Sequence, residues 1–313
     1  MNGKQLIINN DSVLATEIVT ASLGQPVETI TPLVGKGSVN LVFLARTAHS
    51  DTIVRLCRPE DLHRALSFYE KERWCLEQAA ALGIPSPAVL AVGVWGERPY
   101  MLQQCVPGIN GAECSTDQPR LWQALGHYAR LIHSLQLAGF GEAITDFHTG
   151  QGQAGWQRWV DYNLASLTAD DALLRLQVYA PAQRESIRQC FLGLRTRPLR
   201  IGLNHGDLTP RNTVLDEAGT IYLLDWGCAE AHLVPHYDLL ELLRWHAPQG
   251  EIFQAFCRGY GLGNDDLAVL LPELQSLALL KAFDLTRWAI DRCPQRIAEI
   301  AERARAVAQQ TVG

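Results

Sequence analysis

No CxxC pair occurs in this chain, although it holds 8 cysteines. A zinc ribbon, whose ligands come as such pairs, is therefore not expected. A chain of 313 residues needs no disulfide staples, so the cysteines read as reduced, mostly small core residues. A basic surplus is missing too: 27 Lys and Arg stand against 33 Asp and Glu, a net charge of −6. That balance speaks against nucleic acid or an anionic membrane as partner and suits a cytoplasmic protein. Nor is there a long apolar run. MNGKQLIINNDSVLATE lacks the apolar core of a secretion signal, and Asn2 stands where myristoylation needs Gly. LAVLLPELQSLALLKAF is interrupted by Pro272, Glu273 and Lys281 and is too broken to span a bilayer. Internal repeats and low-complexity tracts are absent. What is there is 47% hydrophobic and 19% charged, an ordinary globular composition. The length suits two lobes.

The pattern along the chain predicts a short helix over 13–24, closed by Gly24. Strand-like runs follow: VETITPL, LVFLAR, DTIVRL, AVLAVGVW and RPYMLQQ, rich in β-branched and aromatic residues and separated by turn formers. One helix, roughly 61–82, interrupts them and stops at Gly83 with Pro85 and Pro87 behind it. CVPGINGAECSTDQP, residues 105–119, is polar and turn-rich and reads as a link. It divides the chain into 1–104 and 105–313. Beyond it, helices are expected at 121–136, 156–168, 170–195 and 236–247 and over most of 251 to the end. A hairpin near residue 216 is the main β interruption. The fold class expected is α+β, a small antiparallel sheet with one helix preceding a larger, mainly helical half.

That hairpin lies in HGDLTPRNTVLDEAGTIYLLDWG, residues 205–227. TVL and TIYLL read as strands and DEAG as the turn. Pairing Asp216 with Thr220 puts Asn212 opposite Leu224 and beside Asp225, cross-strand neighbours lying roughly 5 Å apart. Asp207 sits in the loop that enters the hairpin. Two carboxylates and an amide oxygen in a small volume repel unless a cation joins them, and a hard divalent ion such as Mg²⁺ prefers such oxygens. A surface hairpin with solvated acids is the plain alternative, and Asp207 alone would fit it. The ordered set HxDxxxxN, strand, turn, strand, Asp-x-Gly is harder to assign to turns alone.

HGDLTPRN followed by LLDWG resembles the catalytic core of the aminoglycoside phosphotransferase and choline kinase family, and the resemblance extends over nearly the whole chain. It implies a bilobal protein-kinase-like fold and transfer of the γ-phosphoryl group of ATP, with GTP the alternative donor, to a small-molecule hydroxyl. In that family Asp207 would orient the hydroxyl and accept its proton, while Asn212 and Asp225 would hold Mg²⁺ on the phosphates. GKGSVN by itself is a Gly-rich turn; the family makes it the nucleotide loop, with the backbone of Gly35, Gly37 and Ser38 over the triphosphate. In DTIVRL, alternation puts Ile53 and Arg55 on one face. The resemblance makes Arg55 the phosphate cation, where protein kinases carry Lys, and places Ile53 beneath the adenine. Tyr69, Glu72 and Leu76 follow helical spacing, so Glu72 falls on the apolar stripe, where a carboxylate needs a partner. Arg55 is that partner in the family. Gln104 to Val106 would form the hinge against the adenine edge.

Around this core, His205 reads as a structural prop of the loop, freed by Gly206 and stiffened by Pro210. Asp238 reads either as a stabiliser of that loop or as a plain helix-start acid. His127 and His133 read as ordinary helix residues. Candidate acceptor walls are Trp156, Trp159, Asp161, Asp170, Asp171, Glu230, Asp284 and Asp291, although acids scarcely outnumber bases after residue 230, which makes no acidic trough. Trp156 and Trp159 read more readily as core. Acceptors open on this basis are aminoglycosides and other antibiotic hydroxyls, choline, amino-alcohols and metabolic sugars. A non-catalytic nucleotide-binding protein is the rival class. A protein-directed kinase fits less well, since DWGCAEAHLVPHYDLLELL enters a helix too soon for an activation segment. The chain is expected to be a monomer or weak dimer.

Overall fold

Period-two alternation in the first third builds a sheet with one dry face. In the computed structural model, which describes residues 3–33, 40–114, 117–197 and 200–313, five antiparallel strands lie in the order β1-β2-β3-β5-β4. They are β1 Val27–Pro32, β2 Asn40–Thr47, β3 Asp51–Cys57, β4 Val89–Trp95 and β5 Arg98–Gln104. Phe43, Ala45, Val54, Leu56, Tyr100 and Leu102 form one core with Ala15, Ile18 and Val19 of helix α1 Gly3–Leu23. Arg55 and Ile53 stand on the opposite face by alternation. Helix α2 Leu62–Ala81 packs against β4 and β5.

Helix α1 starts ten residues before the expected one, so the expectation for 13–24 is corrected at its start. Asn9, Asn10, Asp11 and Ser12 look like capping residues, but Asp11 is buried and accepts a hydrogen bond from Arg98 Nη1 at 3.1 Å. A tertiary partner lets the helix run through them.

Residues 105–119 carry a two-residue strand, β6 Ile109–Asn110, and then helix α3 Gln118–Ser134 begins. The later helices are α4 Gly152–Ala165, α5 Ala172–Arg175, α6 Arg184–Thr196, α7 His236–Leu243, α8 Glu251–Tyr260, α9 Asn264–Arg292 and α10 Ile297–Val312. The single helix expected over 170–195 is broken. Gln177 takes φ 54 and Pro181 begins a new turn, which stops the helical ladder. The last helical stretch divides likewise, at Gly261 with φ 87 and before Pro294.

A second small sheet was not legible: β7 Arg200–Asn204 pairs antiparallel with β10 Glu230–Val234. Both strands are short and carry Gly, Asn, Glu or His, which are weak strand formers. The hairpin lies between them in sequence as β8 Thr213–Leu215 and β9 Ile221–Leu223, with β6 added to β8.

Two compact units result. One joins Met1–Leu121 with Thr209–Ala229; the other joins Trp122–Leu208 with Glu230–Gly313. The core of the second includes Trp156, Phe191, Phe253, Phe256 and Phe283, all fully buried.

Candidate active site

Arg55 leaves β3 on the face covered by α2. Its guanidinium pairs with the Glu72 carboxylate, Nη1 to Oε1. Glu72 is almost wholly buried and Arg55 largely so. Burial alone works against the Arg55 charge, but Glu72, and after it Asp225, outweigh that and hold the guanidinium pKa above its ordinary value. Arg55 Nη2 lies 3.9 Å from Asp225 Oδ1, and the Arg55 guanidinium carbon lies 5.8 Å from the Tyr69 ring centroid. Tyr69 donates to Asn40 Oδ1 at 3.0 Å, and burial pushes its phenol pKa well up.

The hairpin register sets the other two oxygens. Thr213 faces Leu223 and Leu215 faces Ile221. Asp216 N–H donates to Thr220 at 3.0 Å, and Leu224 N–H donates to the Asn212 carbonyl at 2.8 Å. Asn212 is therefore one residue across from Asp225, buried, while the Asp225 side chain is 57% exposed. Asp225 has φ 57 and ψ 77, the left-handed region, which few residues other than Gly adopt. The hairpin is braced from β6: Asn110 Nδ2 donates to the carbonyls of Arg211 at 2.8 Å and Thr213 at 3.3 Å. Gly111 comes so close that a Cβ there would lie 2.2 Å from Thr213 Oγ1.

Among the described residues no three His, Cys, Asp or Glu form a metal-binding group. A cation here would rest on one amide oxygen and one carboxylate, with phosphate and water supplying the rest. Such a sparse, all-oxygen set suits Mg²⁺. Asn212 and Asp225 fit it.

In the second unit, β7 ends in the loop bearing Asp207. Gly206 turns the backbone with φ 76. The Asp238 carboxylate, fully buried at the start of α7, accepts from His205 N–H at 3.1 Å and from Gly206 N–H at 2.8 Å. His205 Nδ1 accepts from Asp207 N–H at 3.3 Å. Asp238 also meets His133 Nε2 at 3.0 Å, and His133 Nδ1 meets the Tyr260 hydroxyl at 3.1 Å. Burial raises the Asp238 pKa, but the His133 hydrogen bond and charge, with His205 and Gly206, turn the net shift downward. His133 is thus a buried anchor partner, which corrects its reading as an ordinary helix residue.

Ile53 is half-buried beside Gln103 of β5, and Gln104 N–H donates to the Ala88 carbonyl at 2.8 Å. Val106 follows, half-buried. Gly35, Gly37 and Ser38 lie outside the described residues. Trp156 is core, fully buried, while Trp159 is half-buried with its ring centroid 5.7 Å from that of His232. Most of the acids considered for the acceptor are engaged inside the unit. Asp161 accepts from Arg195 at 2.5 and 3.1 Å, Asp171 from Arg287 at 2.8 Å, Asp284 from Asn163 at 3.0 Å and Glu230 from Tyr237 at 2.7 Å. Asp170 and Asp291 are exposed.

The model of the APH phosphotransferase enzyme family matches residues 30–308. No curated protein matches the sequence. Among solved structures, a thermostable mutant of aminoglycoside phosphotransferase APH(4)-Ia, in ternary complex with AMP-PNP and hygromycin B, aligns with TM-score 0.63 and 19% identity. That alignment covers 95% of this chain and 99% of that one. The macrolide 2'-phosphotransferase MphH of Brachybacterium faecium aligns with TM-score 0.62 and 20% identity, over 96% and 98%. A Haemophilus somnus 129PT protein assigned as a fructosamine-3-kinase aligns with TM-score 0.61 and 11% identity, over 95% and 96%. Likeness at such identities speaks for a shared fold.

Proposed function

Since the chain belongs to the APH phosphotransferase enzyme family, we propose that it transfers the γ-phosphoryl group of ATP, or of GTP, to a hydroxyl of a small molecule. The observation that carries this is the buried Arg55–Glu72 pair with Asp225 3.9 Å from the same guanidinium, on a hairpin whose register sets Asn212 across from Leu224, the residue before Asp225. A cation fixed by a carboxylate, next to oxygens suited to Mg²⁺, is the apparatus for holding a triphosphate.

In this reading Arg55 binds phosphate oxygens and Glu72 keeps it aimed. Asn212 and Asp225 hold the metal, which when bound neutralises charge on the phosphates. The backbone of Gly35, Gly37 and Ser38 covers the phosphates, Ile53 lies beneath the base, and Gln104 to Val106 meets its edge. Asp207 orients the acceptor hydroxyl and takes its proton. His205 and Asp238 keep the Asp207 loop in shape through its own N–H groups.

A specific observation bears on the acceptor. Polyamine sugars need unpaired acids, and Asp161, Asp171, Asp284 and Glu230 already have partners. That pairing leaves Asp170 and Asp291 as the exposed acids of the six, which favours an acceptor of low positive charge.

The test is ADP release from Mg²⁺-ATP across aminoglycosides, macrolides, amino-alcohols and sugars, with Asp207→Asn as control. We expect a hit among the less cationic acceptors and a loss of at least about 100-fold in the control. A hit that survives Asp207→Asn removes Asp207 from its role. Tight Mg²⁺-ATP binding with no turnover on any acceptor turns the reading toward a binding protein.

A further inference from the structure

Lys71, the residue before Glu72 on α2, takes no part in the reaction above, yet it is 2% exposed. A buried ammonium is costly unless its hydrogens are met. Lys71 Nζ donates to the Gly227 carbonyl at 3.0 Å and to the Ala229 carbonyl at 2.9 Å. It also lies 5.2 Å from the Phe68 ring centroid. These partners are main-chain oxygens of the segment that follows Asp225. Neighbouring residues on one helix therefore hold two different elements. Glu72 holds Arg55 of β3, and Lys71 holds the backbone just beyond the Asp-x-Gly.

Asp225 has reason to need such a tie. It sits in the left-handed region, where a residue with a side chain stays only if its surroundings impose it. The hairpin fixes the chain before Asp225 through Leu224 N–H. Lys71 fixes the chain after it. Resting on the metal role proposed for Asp225, we infer that Lys71 is a positioning residue: by binding the Gly227 and Ala229 carbonyls to α2 it presents the Asp225 carboxylate to the nucleotide-bound cation. Helix α2 then aims the phosphate cation and the metal carboxylate together.

The test needs no acceptor. Nucleotide binding is measured by calorimetry with and without Mg²⁺ for wild type, Lys71→Met, Lys71→Arg, Asp225→Ala and the Lys71→Met/Asp225→Ala double variant, with melting curves beside. Lys71→Met should weaken Mg²⁺-dependent affinity about tenfold, the lower end for outer partners of metal ligands, and leave metal-free affinity within about twofold. Lys71→Arg, which keeps the donors, should recover most of the loss. In the Asp225→Ala background Lys71→Met should add little. Lys71→Gln runs beside the Met variant and answers the same question if that chain does not fold. Equal losses with and without Mg²⁺, or an unchanged Mg²⁺ response in a folded variant, overturn the positioning role while the phosphotransferase reading stands. A wild type that binds nucleotide without regard to Mg²⁺ overturns the functional reading, and this inference with it.

Discussion

Arg55 and Glu72 act as one unit. The carboxylate is nearly out of water, so removing the guanidinium strands a charge, and the reverse change frees Arg55 to swing away. Arg55→Ala and Glu72→Ala should each weaken Mg²⁺-nucleotide affinity, and the double variant should lose less than the sum by about 1–3 kcal/mol. Losses that add within error would show that the pair does not aim the cation. Glu72 was legible because helical spacing put a carboxylate on an apolar stripe. Lys71 was not. Its partners are carbonyls 156 and 158 positions away, and spacing reports only neighbours on the same helix. His133 escaped for the same reason, its partner Asp238 lying 105 positions on.

At the scale of elements, the hairpin depends on a close approach from Gly111, the residue after β6. A Cβ at Gly111 would lie 2.2 Å from Thr213 Oγ1 and 2.6 Å from the Pro210 carbonyl oxygen. Gly111→Ala should therefore lower stability by about 1–3 kcal/mol, the usual range for overpacking. Urea denaturation measures it, and an unchanged midpoint would mean that the backbone yields freely there. The five strands of the first sheet could be read because alternation and turn residues coincide. The hairpin could be read because DEAG fixes its register. The β7–β10 pair could not, since neither strand carries a pattern strong enough to stand without the other. The break at Gln177 was hidden as well: the helical pattern continues locally, while Asp171 is drawn into a buried bond with Arg287 from α9. In each miss a distant partner overrode a local preference.

For the molecule as a whole, acid is the condition to watch. Burial holds His232 well below its ordinary 6.5, and its Nδ1 accepts from Leu233 N–H at 2.8 Å, as only a neutral ring can. Stability from this neutral imidazole is full above about pH 6.5 and declines as pH falls toward its folded value. Asp238 comes later. Its folded pKa is depressed, so its contribution is full above the unfolded value, about 3.9, and is lost as pH falls through the lower folded one. Asp238→Asn should cost about 1–3 kcal/mol at pH 7 and flatten the dependence below about pH 4. Denaturation midpoints from pH 7 to 3 check this; a variant that keeps the wild-type slope below pH 4 would place its source elsewhere. The first unit is also interrupted in sequence, Met1–Leu121 being completed only by Thr209–Ala229. A chain emerging from the ribosome N-terminus first delivers Arg55 and Lys71 long before the carboxylate and carbonyls they meet. Throughout that interval strand β6 has no partner, and Asn212 and Asp225 are still inside or behind the translation machinery. A nascent chain halted there presents a half-built body with raw edges, the kind of surface that chaperones shield.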